Sequence, residues 1–242
     1  MKILLVLLVV ILIILLVFPA RSTFTGPPKL KILVSTCKNY REKSIPPLMY
    51  QLRAANVPDD SILIVSGGED TDDSSDRILK KVRYQFWEYT GLIYLAENPE
   101  NDPVVYLMIH DTVKIQPQFW ENIQTKFKEF LISGQKGFRL MENNGKSSMS
   151  MGFYTQDLIR TYIDFLTSLK DYKSDEESLK KSKMKGFGIE DHMIKEFGVM
   201  FKGSQIIITE EKTKCTNEIP EIGFTKIQTN CQGKPLVFTY DV

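Results

Sequence analysis

Three short apolar runs dominate the first half of this chain: Leu30–Ser35, Ile62–Val65 and Val104–Ile109. Each has the length of a buried strand and stops abruptly at polar residues. Strands that alternate with crossover segments line up as a mostly parallel sheet with right-handed connections. All three runs then end on one edge of that sheet. Thr36, Ser66, His110 and Asp111 must therefore share a rim, and open α/β folds hold their ligands along that rim.

The remaining segments fit one α/β domain. Ile45–Ala55 reads as a helix, with Pro46 and Pro47 in its first turn and Leu48, Leu52 and Ala55 on one face. Tyr84–Leu95 is aromatic-rich and reads as a helix followed by a short strand, with helix and strand not separable by period alone. Phe119, Ile123, Phe127 and Phe130 recur at helical spacing, so Phe119–Ile132 is a helix. Gly137–Met141 is expected as a strand, Gln156–Leu169 as one amphipathic helix and Ile189–Phe197 as a short one. Val199–Phe201 and Gln205–Thr209 read as closing strands. Beyond Glu210 the pattern is weak until Pro235–Tyr240, a last strand or a tail.

With 242 residues and 43% apolar content, the chain can bury one sizeable core. A net charge of +1 gives no basic face for a nucleic acid. The chain has no G-x-G-x-x-G, P-loop, G-x-S-x-G or H-E-x-x-H signature, which argues against dinucleotide oxidoreductases, P-loop enzymes, α/β-hydrolases and zinc proteases.

The amino terminus stands apart. Ile3–Phe18 is an unbroken apolar run between Lys2 and Pro19. As a helix it reaches roughly 24 Å, slightly short of a hydrocarbon core of about 30 Å. Phe18 sits where a signal-peptide cleavage site wants a small residue, so the run reads as an uncleaved signal anchor. Positive charge flanks it on both sides, Lys2 before and Arg21, Lys29 and Lys31 after, which leaves the orientation open. Residues 1–20 are then a transmembrane anchor, 21–29 a short stem, 30–210 the domain and 211–242 its C-terminal extension. Cys215 and Cys231 pair around a short loop if the compartment is oxidising; otherwise all three cysteines are reduced.

The expected rim collects Lys38, Asn39, Glu69, Asp70, His110 and Asp111. A carboxylate at a strand end suits a metal ion and the diphosphate of a nucleotide-sugar, although it is also often plain surface. Gly67 and Gly68 let the backbone approach a flat ring or a sugar without side-chain clash, or simply make a tight turn.

Taken in order, Ile32–Thr36 with its polar loop, Ile62–Asp70, Val105–Thr112 with Pro117 and Phe119, and Gly188–His192 resemble the glycosyltransferases with the nucleotide-sugar-binding GT-A fold. The resemblance covers roughly residues 30–210. It implies a single GT-A-like domain with a mostly parallel central sheet flanked by helices, moving a sugar from a nucleotide-diphosphate donor to a hydroxyl of a glycan, protein or lipid. In that family the first loop and the end of the second strand hold base and ribose. Thr36, Lys38, Asn39 and Gly67, with Glu69 or Asp70, would do so here.

The family's D-x-D motif binds a divalent cation, Mn²⁺ or Mg²⁺, across the diphosphate. Asp111 matches its final aspartate, whereas Ile109 stands in the first aspartate's place and cannot ligate. His110 between them is implied as an imidazole ligand or a hydrogen-bond partner of phosphate. One carboxylate with water can suffice for a hard cation that also bridges phosphates.

Glu190 and Asp191 match the acidic pair that opens a late helix in inverting members. Asp191 is implied as the base that takes the acceptor hydroxyl's proton, with Glu190 beside it. The alternative for both is charge that complements a helix dipole, worth about 0.3–1 kcal/mol. His192 is implied as a metal ligand, or is an ordinary surface histidine. Met149–Tyr154 resembles the segment that lines donor sugar and acceptor, or is a buried strand with methionine filler.

A membrane anchor in this family implies a type II placement facing the Golgi or ER lumen. Two rivals remain. One is a catalytically silent relative that lost its first aspartate. The other is a sugar-phosphate nucleotidyltransferase, whose Gly-rich basic signature Thr36–Tyr40 does not resemble.

Overall fold

The structure is a computed structural model and describes residues 26–142, 151–171, 193–194, 197–202, 205–208 and 215–228. The main sheet has seven strands in the order β3-β2-β1-β4-β7-β6-β8. They are β1 (Lys29–Cys37), β2 (Ile62–Gly67), β3 (Leu79–Lys81), β4 (Val104–His110), β6 (Gly137–Glu142), β7 (Gly152–Thr155) and β8 (Val199–Lys202). Within the sheet, β7 runs against both of its neighbours while the other pairings are parallel. A second, antiparallel sheet has the order β5-β11-β10-β9. It comprises β5 (Val113–Ile115), β9 (Gln205–Ile208), β10 (Cys215–Ile219) and β11 (Phe224–Gln228). This is an α/β domain with a mostly parallel central sheet flanked by helices.

Strand alternation sorts the core into two layers. Ile32 and Val34 of β1 and Val105, Leu107 and Ile109 of β4 pack under α1 (Lys38–Ala54) and α3 (Phe119–Ser133). Leu33 of β1 and Val104, Tyr106 and Met108 of β4 face α2 (Tyr89–Glu97), α4 (Gln156–Thr161) and α5 (Ile163–Ser168). Helix α3 follows its apolar spacing: Phe119, Ile123, Phe127 and Phe130 are buried, and the helix stops at Gly134, whose φ of 65° suits a residue without Cβ.

Five sequence expectations change. First, α1 begins at Lys38, and Pro46 and Pro47 lie inside it. The prolines deprive the Glu42 and Lys43 carbonyls of helical partners, but both residues are exposed, so water can take them up. Second, Tyr89–Glu97 is wholly helical with no strand after it. Third, the helix expected over Gln156–Leu169 breaks at Tyr162, although Leu158, Ile159 and Leu166 still reach one core layer. Fourth, β3 and β5 are strands of three residues, too short for an alternation to register in sequence. Fifth, β10 and β11 form where no pattern was legible. Their polar residues Thr216, Asn217 and Glu218 pair with Ile227, Lys226 and Thr225 across an antiparallel ladder.

No described helix is long and apolar enough to cross a membrane. The apolar run Ile3–Phe18 lies outside the described residues, as do Pro235–Tyr240 and most of Ile189–Phe197.

Candidate functional site

Parallel register brings the strand ends together. Thr36 sits beside Ser66, Cys37 beside Gly67, and Ser35 beside His110. Strand β1 passes into α1 without a loop, Cys37 closing one and Lys38 opening the other. The first turns of α1 therefore stand directly over the rim.

Asp111 follows β4 on that rim. Its Oδ2 accepts a hydrogen bond from Thr36 Oγ1 at 2.7 Å and another from Ser44 Oγ at 2.8 Å. Thr36 and Ser44 are buried, and Asp111 itself keeps partial access to solvent. Burial pushes the Asp111 carboxyl above the usual carboxylate range, while the Thr36 and Ser44 hydroxyls pull it back only in part. No cation among the described residues pairs with it. The neutral hydroxyls hold the group without cancelling the charge it carries when ionised.

The two other members of the expected metal motif are placed differently. Ile109 is fully buried in the α1-side core. Alternation puts His110 on the opposite face of β4 from Ile109, whereas Asp111 turns to the α1 side, where Ser44 lies. His110 and Asp111 are thus adjacent in sequence but directed to different faces. Among the described residues, no three His, Cys, Asp or Glu side chains come together to hold a metal ion.

The carboxylates after β2 are tied to α1. Glu69 is ion-paired with Arg41 through Arg41 Nη1 and accepts a hydrogen bond from Ser66 Oγ at 2.5 Å. Its side chain is only 7% exposed, so it braces the rim from inside. Asp70 is 83% exposed and meets Lys38 Nζ at 2.6 Å. Lys38 and Asn39 are exposed on the first turn of α1.

What approaches the glycine pair is the chain itself. A Cβ on Gly67 would lie 2.8 Å from the Tyr84 carbonyl oxygen, and one on Gly68 would lie 2.6 Å from Gln85 Oε1. Gly68 also has φ of +71°. The Gly68 and Glu69 N–H groups donate to the Tyr84 and Val82 carbonyls at 3.1 Å each, which seals the segment before α2 onto the rim. Ser35 Oγ donates to the Glu88 carbonyl at 2.7 Å and fastens the same segment from β1. Cys37 is a buried free thiol next to this seam, its pKa raised by burial above all.

Thr36, Lys38, Gly67, Glu69, Asp70 and Asp111 therefore share one rim, with Asn39 on the helix turn above it. Glu190, Asp191 and His192 lie outside the described residues, as does Cys231. Sequence reading missed Ser44, Arg41 and Gln85. Ser44 is 67 positions from its partner Asp111. The one hint was a polar residue two before the first proline of a helix.

No protein-family model matches this chain, and no curated protein gives a match. Among solved structures, the crystal structure of S. aureus TarS 1-349 aligns with 15% identity and a TM-score of 0.37, covering 65% of this chain and 55% of that one. A second crystal structure of S. aureus TarS aligns with 14% identity and a TM-score of 0.35, covering 66% and 33%. This chain spans about half of the first and a third of the second. Likenesses so distant define no family and carry no argument about function.

Proposed function

We propose that this chain is a glycosyltransferase that moves a sugar from a nucleotide-diphosphate donor to a hydroxyl acceptor. The observation that carries the proposal is Asp111: a carboxylate held by two hydroxyls, with no cation partner among the described residues, at the edge of a mostly parallel sheet where open α/β folds hold ligands. Oδ2 is engaged and Oδ1 takes no hydrogen bond from another described residue, so one oxygen fits a divalent cation that donor phosphates also hold. Bound there, Mn²⁺ or Mg²⁺ would offset charge on the departing diphosphate. Lys38, Asn39 and Asp70 are exposed at the same rim and suit the polar parts of a nucleotide. Asp191, with Glu190, is the proposed base toward the acceptor hydroxyl, and His192 the proposed further metal ligand. The run Ile3–Phe18 is the proposed membrane anchor of a lumen-facing type II chain.

The test is nucleotide release by the full-length chain from a panel of UDP- and GDP-sugars, with Mn²⁺, Mg²⁺ or chelator. Turnover of one donor that falls in Asp191→Ala supports the proposal; no turnover of any donor by the wild-type chain contradicts it. A second reading, a catalytically silent relative that binds donor without turning it over, is favoured by one observation. Ile109 fills the first aspartate's position with a side chain sunk in the core.

A further inference from the structure

Two hydroxyls hold the half-buried carboxylate of Asp111. Both of its side-chain partners donate to the same oxygen, Oδ2, and both are hydroxyls. An ionised carboxylate offers acceptor positions on both oxygens. The two donors come from different elements, β1 and α1.

Ser44 has only one proton to give, and a second acceptor is within reach. Its Oγ lies 2.8 Å from Asp111 Oδ2 and 3.1 Å from the Tyr40 carbonyl, the ordinary partner of a serine one turn along a helix. The carboxylate is both nearer and charged, so it takes the proton. The Tyr40 carbonyl is the fallback when the carboxylate is removed.

We infer that Ser44 is a positioning residue which, together with Thr36, occupies Oδ2 of Asp111 and leaves Oδ1 as the oxygen that meets the ligand. This rests on the reading of Asp111 as the contact to a metal-bound nucleotide diphosphate. Ser44 acts through Asp111 and touches no ligand itself. The pair of hydroxyls makes Asp111 a one-oxygen ligand, which matches a site where phosphate oxygens and water supply the other positions.

The experiment measures binding of Mn²⁺ with UDP, and with GDP, to the full-length chain by calorimetry, beside thermal unfolding. Ser44→Ala and Thr36→Val each weaken Mn²⁺–nucleotide binding about tenfold, the loss of one hydrogen bond to a charged group. Thr36→Ser, which keeps the hydroxyl, binds within about twofold of wild type. In unfolding, Ser44→Ala lowers Tm clearly in the wild-type background and much less in Asp111→Ala, where the contacts to the Tyr40 carbonyl at 3.1 Å and Thr36 Oγ1 at 3.5 Å are left to lose. Wild-type binding with unchanged affinity in Ser44→Ala and Thr36→Val overturns the inference and leaves the site reading standing. Equal Tm losses in the two backgrounds also overturn it, because Ser44 would then serve the helix alone. A wild-type chain that binds neither nucleotide overturns the site reading, and the inference with it.

Discussion

The two edges of the parallel sheet handle charge in opposite ways. At the edge where β1 and β2 begin, cations and carboxylates are matched at the surface. Lys29 meets Asp102 at 2.7 Å, Lys31 meets Glu100 at 2.5 Å, and Arg53 meets Asp59 at 2.9 Å. A cavity of about 290 Å³ opens there, lined by Lys31, Asp59, Asp60, Arg77, Lys80 and Glu100 in balance of sign. At the edge where β1, β2 and β4 end, half-buried Asp111 is held by hydroxyls and pairs with no cation among the described residues. Matched surface pairs contribute little to stability and attract no particular ligand. An unmatched, half-buried carboxylate costs stability until something positive arrives, and such local cost is what a binding site carries. The volume of a cavity is the poorer guide here; the proposed site lies at the other edge.

That contrast can be broken at its strongest point first. Asp111→Ala is expected to lower donor turnover on the order of a hundredfold or more, since a cation at the diphosphate is worth several kcal/mol in the transition state. Nucleotide-release assays check this.

Next in size is a packing effect on the same rim. Gly67→Ala drives a Cβ against the Tyr84 carbonyl and the Thr90 side chain, at 2.8 and 3.0 Å. A destabilisation of about 1–3 kcal/mol is expected, read by denaturant unfolding. A neutral result would mean that the segment before α2 is not sealed onto the rim.

Smaller, and opposite in sign, is the effect of Asp111→Asn on stability. The folded carboxyl has a raised pKa, so the folded state holds more protons than the unfolded state from the ordinary carboxylate value upward. Stability from this group is therefore full at low pH and falls as pH rises through the folded pKa. The amide keeps an acceptor for Thr36 and Ser44 without the charge. With chelator at neutral pH, Asp111→Asn should raise Tm above wild type, and the difference should vanish in acid; a lower Tm at neutral pH contradicts the account of Asp111 as an uncompensated charge.

The smallest change belongs to the other edge. Lys29→Ala should leave Tm unmoved within error at moderate salt, because Lys29 is exposed and Asp102 partly so. A clear loss of Tm would erase the distinction between the edges.

Legibility in the sequence followed the strength of local patterning. β1, β2, β4 and α3 were readable because their burial is continuous or strictly helical, from Ile32 and Val34 to Phe119, Ile123, Phe127 and Phe130. Their order also placed Thr36, Ser66 and Asp111 on one rim, since parallel strands leave little choice. β10 and β11 were not readable. Lys226, buried on β11 opposite Val113, and Asn217 on β10 break the apolar alternation that marks a strand.

The early start of α1 was hidden by Pro46 and Pro47, which suggest a beginning where there is an interior. That one displacement concealed Ser44, because a residue placed before a helix has no reason to stand over a strand end. Gly67 and Gly68 were read as room for a ligand or as a tight turn; the room is taken by Tyr84 and Gln85, a contact no local pattern announces. Arg41 and Glu69 were missed as a pair because an ion pair across 28 positions leaves no spacing to read.

Equilibrium binding of UDP- and GDP-sugars in the presence of Mn²⁺, compared between the full-length wild-type chain and Asp111→Ala, tests the central claim most directly. The account predicts that one donor binds the wild-type chain and that the single substitution removes that binding. Binding that survives in Asp111→Ala, or a wild-type chain that holds none of these donors, would contradict the claim that this carboxylate is where the ligand sits.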